Sequence, residues 1–136
     1  MNTELMFKSS CDNWKTPDDV YNKLNEEFSF DFDPCPLNDE PDIDGLLIDW
    51  GNVNFVNPPY SKISDWCKKA YEEFKKGKTV VLLIPSRTDT KYWHEYIMKA
   101  TEIRFIKGRL KFGDSKNSAP FPSCVVVYKA AQDVRQ

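Results

Sequence analysis

The hydrophobic positions in the first part of the chain follow the period of a helix. Apolar side chains recur along one helical face, at Val20, Tyr21, Leu24 and Phe28. This spacing predicts a helix over about residues 17–27. Thr16 is a suitable cap, Pro17 suits the first helical position, and Asp19 stands where a capping-box acid belongs.

A strand period replaces the helical one directly afterwards. Three phenylalanines alternate with polar residues and predict a strand, at Phe28, Phe30 and Phe32. The strand ends at Asp33-Pro34-Cys35-Pro36, because prolines so close together cannot continue a sheet ladder. Residues 37–49 then predict an acidic loop, with Asp44-Gly45 as a turn.

The middle of the chain predicts a strand, a proline-containing loop and a second helix in succession. Residues 53–56 have the pattern of a short strand that leads directly into Asn57-Pro58-Pro59-Tyr60. Apolar side chains then recur at helical spacing, at Ile63, Trp66, Cys67, Ala70, Tyr71 and Phe74. Ser61 is a candidate cap for this helix, and Gly77 lies past its end.

Strand and helix patterns continue to alternate in the second half of the chain. Residues 79–84 form a continuous apolar run stopped by Pro85, which predicts the buried central strand of a parallel sheet. The remaining predicted elements are a helix over about 90–100, a strand over 103–106, and an antiparallel pairing of residues 110–112 with 124–128.

The alternation of strands and helices predicts an α/β fold with an open sheet covered on its faces and an antiparallel hairpin at its end. With 136 residues the chain is about one domain long. We therefore expect a single domain over residues 1–136, with residues 1–11 and 130–136 as flexible ends.

Composition argues against several classes of protein. Hydrophobic residues make up 40% and charged residues 29%, the balance of a globular protein. No apolar run approaches the roughly 20 residues of a membrane span, and no secretory signal is visible, so we expect a cytoplasmic protein. The single histidine argues against a catalytic triad, and the absence of a C-x-x-C pair argues against a structural zinc site. The expected compartment argues against disulfides.

Charge is distributed unevenly along the chain, although the formal net charge is only −2. Residues 17–49 hold eleven acidic residues against the single Lys23. Residues 99–129 hold seven lysines and arginines against two acidic residues. This basic third is suited to face phosphates, and the alternative is a solvated charged surface with no partner.

Asn57-Pro58-Pro59-Tyr60 carries the most specific chemistry in the chain. Ligands of open α/β sheets collect beyond the carboxyl ends of strands, where this segment is predicted to lie. The Asn57 side-chain oxygen and the Pro58 carbonyl can each accept a hydrogen bond from one –NH₂ group. Two acceptors would stabilise the positive charge that a conjugated amine develops during attack. Tyr60 offers a ring for stacking of a flipped-out base, worth on the order of 1–3 kcal/mol.

Several further motifs occur in one order along the chain. They are Trp14-x-Thr16-Pro17, Phe32-Asp33-Pro34-Cys35, Asp44-Gly45-Leu46 with Asp49-Trp50, Asn57-Pro58-Pro59-Tyr60-Ser61, 83–90 (LIPSRTDT), 107–112 (KGRLKF) and 118–123 (SAPFPS). Over about residues 12–128 the chain resembles the phage and prophage DNA N6-adenine methyltransferase family, sometimes described as Dam-like. The resemblance implies a minimal Rossmann-like methyltransferase domain in a bacterial host cell. It also implies S-adenosylmethionine as methyl donor, adenine in DNA as acceptor, and no metal.

The resemblance also assigns candidate site residues. It implies that the catalytic loop consists of Asn57, Pro58, Pro59 and Tyr60. Its implied donor-binding residues are Thr16, Pro17, Asp33, Pro34, Cys35, Asp44 and Asn57. Asp33 is suited to the amino group of the donor because the contact is charge-assisted. The candidate DNA-binding residues are Arg87, Lys107, Arg109, Lys111 and Phe121, since cations and exposed aromatics suit phosphates and bases. Alternatively, Phe112 and Phe121 belong to a hairpin core.

Two other functions are compatible with the same residues. The Asn-Pro-Pro-Tyr segment also suits an amide nitrogen, so a protein glutamine N-methyltransferase is one alternative. The other is a non-catalytic nucleic-acid-binding module that retains the fold, because the loop after the first predicted strand lacks the glycines usual at donor sites. A homo-oligomer is left open, since a second subunit would be one source of sequence preference.

Overall fold

Helices and strands alternate along the chain in a computed structural model that describes residues 15–35, 44–112 and 118–130. Three α-helices are described: α1 (Asp18–Phe28), α2 (Ile63–Lys75) and α3 (Lys91–Glu95). Four strands are described: β1 (Val53–Val56), β2 (Thr79–Pro85), β3 (Glu102–Phe105) and β4 (Ser123–Tyr128). Two 3₁₀ turns accompany the helices, Tyr60–Lys62 before α2 and Ile97–Lys99 after α3.

The four strands form one small mixed sheet in the order β1-β2-β4-β3. β1 and β2 run parallel, whereas β4 runs antiparallel to both β2 and β3. The α/β class is therefore confirmed. The prediction that residues 79–84 form a central strand is also correct, but the prediction of a parallel sheet is only half right. β2 is buried along its whole length, yet only one of its two neighbours is parallel to it.

The strand predicted from the alternating phenylalanines is reduced to a single parallel bridge between Phe32 and Asn54. The Asp31 amide donates to the Val53 carbonyl at 2.9 Å, and the Phe55 amide donates to the Phe32 carbonyl at 3.1 Å. Pro34 ends the ladder immediately afterwards, because proline has no amide hydrogen to donate. The bridge still places residues 31–33 beside β1 and parallel to it.

The predicted hairpin between residues 110–112 and 124–128 is wrong. β4 pairs with β2 on one side and with β3 on the other, so neither of its edges is left for another strand. Residues 110–112 contain no strand, and the Ala119 amide donates to the Leu110 carbonyl at 2.7 Å. Of the flexible ends predicted at 1–11 and 130–136, residues 1–11 and 131–136 lie outside the described residues. Ala130 is described, and it is buried with its amide donating to Thr79 Oγ1 at 2.9 Å.

The helix ends differ from the predicted caps. No side chain caps α1, whose first turn is closed by the Tyr21 amide donating to the Pro17 carbonyl at 3.0 Å. Ser61 lies inside a 3₁₀ turn rather than at the start of α2. The helix predicted over 90–100 is interrupted at Tyr96, and Thr90 caps its first part by accepting from the Trp93 amide at 3.3 Å.

Each face of the sheet carries its own core cluster. On one face α2 and α3 cover side chains that include Trp66, Val80, Leu82, Trp93 and Tyr128. On the other face α1 contributes Leu24, which packs with Phe55, Val81, Leu83, Phe112 and Phe121. Complete burial of one such side chain stabilises the fold by about 1.5–3 kcal/mol.

One buried carboxylate ties α2 to the chain before β1. The side chain of Glu73 is inaccessible to solvent, and three lysines contact it: Lys69 at 3.0 Å, Lys76 at 2.9 Å and Lys78 at 2.7 Å. The Trp50 backbone amide donates to the same carboxylate at 3.2 Å. Lys78 also donates to the Trp50 carbonyl at 2.7 Å, so the cluster joins the end of α2 to the segment that leads into β1.

Candidate active site

A cleft of about 230 Å³ opens at the carboxyl end of β1, beside the end of the parallel segment 31–33. Asp33 directly follows the Phe32 bridge, and Asn57 directly follows β1. The carboxyl ends of neighbouring parallel segments meet at one edge of a sheet, so the two residues face the same cleft. Its lining residues are Lys15, Thr16, Asp18, Tyr21, Asp33, Cys35, Phe55 and Asn57.

The Asn57 side chain is held by a residue from the start of the described chain. Its Nδ2 group donates a 3.0 Å hydrogen bond to Thr16 Oγ1, a contact that spans 41 residues of sequence. In this arrangement the nitrogen end of the amide points to Thr16, and Oδ1 is the acceptor end. Thr16 therefore does not cap α1 as the sequence pattern predicts, but it does lie beside Asn57 in the cleft.

Asp33 is the titratable group of the cleft with the largest pKa shift. Burial raises the pKa of its carboxyl to about 6, and the hydrogen bond from the Cys35 amide to Asp33 Oδ1 at 2.9 Å opposes this shift only in part. The residue as a whole is exposed on the cleft rim, although much of its carboxyl is desolvated. Near neutral pH the group is therefore mostly ionised and poorly solvated, which suits a cationic partner.

The cleft unites some of the predicted donor-binding residues and leaves others out. Thr16, Asp33, Cys35 and Asn57 line it, whereas Pro17, Pro34 and Asp44 do not. The Pro17 carbonyl closes the first turn of α1, and Pro34 is buried. The Asp44 carboxylate accepts from the Leu46 amide at 3.0 Å and so shapes its own turn.

Gly45 explains why the turn after Asp44 packs so closely against Pro34. A Cβ atom at position 45 would collide with the Pro34 carbonyl oxygen and with the Trp66 ring. The Gly45 carbonyl also accepts from the Trp50 indole at 2.7 Å. Gly45 therefore permits a close approach of two backbone segments, which is a packing role beside the cleft.

Sequence reasoning missed four residues of the cleft: Lys15, Asp18, Tyr21 and Phe55. Tyr21 and Phe55 follow the hydrophobic patterns of α1 and β1, which are typical of core residues. Their rings do pack there, edge to face with centroids 5.1 Å apart. One side of this aromatic pair nevertheless borders the cleft, and no periodic pattern distinguishes such a residue from an ordinary core residue.

A second pocket, of about 240 Å³, lies at the other end of the Asn57–Tyr60 segment, past the carboxyl end of β2. It is lined by Tyr60, Ile63, Pro85, Arg87 and Tyr92. Burial raises the pKa of the Tyr60 phenol, and the charge of Arg87 opposes this shift. The Tyr60 hydroxyl therefore stays protonated, with a cation nearby.

Phe121 packs against two residues that line this pocket, Tyr60 and Arg87. Its ring meets the Tyr60 ring edge to face, with centroids 5.2 Å apart, and the Arg87 guanidinium lies 5.9 Å from its centroid. Phe121 is only 7% exposed and Phe112 only 3%, so the prediction that they are exposed aromatics is wrong and the core interpretation is right. Arg87, Lys107, Arg109 and Lys111 are exposed.

Across residues 15–35, 44–112 and 118–130, no three His, Cys, Asp or Glu side chains come together as metal ligands would. No helix within those ranges is long and apolar enough to cross a bilayer.

Comparison with known families agrees with the motifs. A family model described as "DNA N-6-adenine-methyltransferase (Dam)" matches residues 3–133, almost the entire chain of 136 residues. The chain belongs to the Dam family. Membership confirms the resemblance and indicates DNA adenine methyltransferase activity. No curated protein sequence matches the chain.

Proposed function

We propose that this Dam-family protein transfers a methyl group from S-adenosylmethionine to the N6 amino group of adenine in DNA. The observation that carries the proposal is the position of the Asn57–Tyr60 segment between two pockets. Asn57 lines the cleft at the end of β1, and Tyr60 lines the pocket at the end of β2. A donor and an acceptor bound on either side would therefore meet at this segment.

The cleft has the chemistry that the methyl donor requires. The Asp33 carboxylate would pair with the amino group of the donor, and the Tyr21 and Phe55 rings offer an apolar wall. Thr16 and Cys35 complete the lining beside Asn57. S-adenosylmethionine, when bound, would supply a methyl group activated by its sulfonium. The arrangement of Asp33 and Asn57 beyond adjacent parallel segments supports a Rossmann-like methyltransferase fold.

Asn57 and Pro58 would activate the acceptor. The exocyclic amine of adenine is a poor nucleophile because its lone pair is delocalised into the ring. Asn57 Oδ1 and the Pro58 carbonyl would each accept a hydrogen bond from this amine. The two bonds would stabilise the positive charge that develops on nitrogen. The hydrogen bond from Asn57 Nδ2 to Thr16 presents the acceptor end of the amide for this purpose.

DNA would approach over the basic surface near the second pocket. Arg87 lines that pocket and is exposed, so it can contact a phosphate beside an extruded base. Lys107, Arg109 and Lys111 are exposed on the segment after β3 and would add sequence-independent phosphate contacts. The resemblance to phage and prophage enzymes supports a location in the cytoplasm of a bacterial host.

A methyl-transfer assay on unmethylated DNA tests the proposal. With isotopically labelled S-adenosylmethionine, digestion to nucleosides should yield labelled 6-methyladenine. Label recovered on protein glutamine instead would support a protein glutamine N-methyltransferase. No detectable binding of S-adenosylmethionine by calorimetry would support a non-catalytic nucleic-acid-binding module.

Donor binding is expected to depend on pH through Asp33. The ionised carboxylate is the form that pairs with an ammonium group, and the pKa of this group is raised to about 6. Affinity should therefore rise with pH, by about tenfold between pH ~5 and pH ~7, where the ionised fraction increases by about that factor. Calorimetric titration with S-adenosylmethionine across this range measures the effect.

Asp33→Asn should bind the donor weakly and show no such pH dependence. Asp18→Asn is the matched control, because Asp18 is an acid of the same cleft. It should retain the rise in affinity with pH. If the affinity of Asp33→Asn still rose with pH as in the wild type, the proposed contact between Asp33 and the donor would be refuted.

A further inference from the structure

One hydrogen bond joins the wall of the donor cleft to the segment that would activate the acceptor. The Asn57 Nδ2 group donates to Thr16 Oγ1 at 3.0 Å, across 41 positions of sequence. Both residues line the cleft, as does Asp33. Asn57 also begins the segment that reaches the second pocket at Tyr60. The contact between Thr16 and Asn57 therefore connects one proposed substrate site with the segment that leads to the other.

The two ends of the Asn57 amide are nearly equal in size but opposite in chemistry. The oxygen end accepts hydrogen bonds, and the nitrogen end donates them. A threonine hydroxyl can bond to either end, because it has one hydrogen and two lone pairs. In the structure the Thr16 hydroxyl accepts from Nδ2, so Oδ1 is the end that the proposed mechanism uses. If the hydroxyl donated to Oδ1 instead, the amide would be turned and would present N–H groups to an amine that needs acceptors.

The direction of the Thr16 hydrogen therefore decides which way round the amide is held. The contact with Asn57 uses a lone pair of Oγ1, so the hydrogen of this hydroxyl is not spent on Asn57. Thr16 is half-buried and shares the cleft with Asp33, the proposed partner of the donor amino group. In S-adenosylmethionine the carbon that carries this amino group also carries a carboxylate. A carboxylate accepts hydrogen bonds and has none to donate.

We propose that Thr16 is a positioning residue whose hydroxyl donates to the carboxylate of the bound methyl donor while it accepts from Asn57 Nδ2. Binding of the donor thereby fixes the Asn57 amide with Oδ1 toward the acceptor. The inference rests on the proposed function and adds an order to it. The amide is held for catalysis once the donor occupies the cleft, whereas a base that arrives first meets an amide that can still turn.

Two substitutions at Thr16 test the role of the hydroxyl in the rate. Thr16→Val keeps the shape of the side chain and removes the hydroxyl, whereas Thr16→Ser keeps the hydroxyl. With saturating S-adenosylmethionine and unmethylated DNA, Thr16→Val should lower the single-turnover rate by about 10- to 100-fold, because the amide is no longer held in one orientation. Thr16→Ser should recover most of this loss.

Thr101→Val is the matched control. It also removes a threonine hydroxyl that accepts a hydrogen bond, in this case from the Lys129 amide at 2.9 Å, but Thr101 does not line the cleft. Its single-turnover rate and its affinity for the donor should equal those of the wild type.

A donor without a carboxylate tests the other half of the contact, with binding rather than activity as the readout. Decarboxylated S-adenosylmethionine retains the sulfonium and the amino group. By calorimetry, Thr16→Val should lower the affinity for S-adenosylmethionine by about 5- to 10-fold, because one hydrogen bond to a charged group is lost. The same substitution should leave the affinity for the decarboxylated donor unchanged, since that donor has no carboxylate for the hydroxyl to meet.

The two donors should also differ in the rate that they support. At saturation, the decarboxylated donor should lower the single-turnover rate of the wild-type protein by about as much as Thr16→Val does with S-adenosylmethionine. It should cause little further loss in Thr16→Val, because the two changes interrupt the same pair of hydrogen bonds. Losses that multiply would show that Thr16 and the carboxylate act separately, and would refute the inference.

The remaining outcomes separate this inference from the function on which it rests. If the wild-type protein methylates no adenine, the proposed function fails. If it methylates adenine and Thr16→Val is as fast as the wild type, the positioning role of Thr16 is refuted and the function stands. The same conclusion follows if Thr16→Val weakens the binding of both donors equally, or if Thr16→Ser is as slow as Thr16→Val.

Discussion

Asn57→Ala is expected to abolish measurable methyl transfer, with a loss of about 10²–10³-fold or more in the rate of the chemical step. The substitution removes an acceptor that acts on charge developed during the reaction, so its effect falls on the rate rather than on DNA binding. Single-turnover kinetics with labelled S-adenosylmethionine on unmethylated DNA measures the rate directly. Retained activity in Asn57→Ala would refute the mechanism.

The fold and the donor site should survive this substitution. Asn57 is half-buried, and its side-chain amide donates to Thr16 Oγ1, a residue outside the sheet and the core clusters, so the loss of packing is small. Donor affinity should remain within a few fold of the wild type, as the Asp33 carboxylate is untouched. Asn52→Ala is the matched control, because Asn52 is exposed just before the opposite end of β1. It should transfer methyl groups at the wild-type rate.

Local patterns in the sequence identified most elements of the fold correctly. The apolar run of β2 and the helical spacing of α2 each depend on residues close together in the chain, and both elements appear where they were predicted. β1 also lies where predicted and leads directly into Asn57. The Asn57–Tyr60 segment could therefore be placed at a strand end from sequence alone.

The pairing of strands that are distant in the sequence could not be predicted from local patterns. The run at β4 shows that a strand forms, but not that β2 and β3 would occupy both of its edges. Pairing depends on how strands from separate parts of the chain meet, and the spacing of hydrophobic residues within one strand carries no such information. The predicted hairpin failed for this reason.

The role of Thr16 illustrates the same limit at the candidate site. Beside Pro17 and Asp18, a threonine has the pattern of a helix cap, and many threonines in that setting are caps. The structure instead places its hydroxyl 3.0 Å from the Asn57 amide, 41 residues away. The family motifs implied that Thr16 belongs to the donor site, whereas local capping rules pointed elsewhere. When a site is assembled from distant segments, family motifs can indicate its residues, whereas local helix and capping preferences cannot.

The largest effect on stability is expected from Glu73. Its side chain is inaccessible, and burial by itself would raise its pKa, but hydrogen bonds from Lys78, Lys76, Lys69 and the Trp50 amide lower it to about 2. Removing one partner from a buried ionic cluster costs about 3–5 kcal/mol, because the opposite charges lose their compensation. Glu73→Ala should therefore lower the free energy of unfolding by about that amount in urea denaturation.

The pH dependence of this effect separates lost charge from lost packing. An acid whose pKa is depressed from 4.5 to about 2 by folding contributes stability that is fully present above pH 4.5 and disappears as the pH falls through about 2. The difference in unfolding free energy between the wild type and Glu73→Gln should therefore be constant near neutral pH and shrink over that interval. Glu72→Ala, at an exposed neighbouring position, should cost little at any pH. A pH-independent difference for Glu73→Gln would show that shape, rather than charge, is what Glu73 contributes between α2 and the chain before β1.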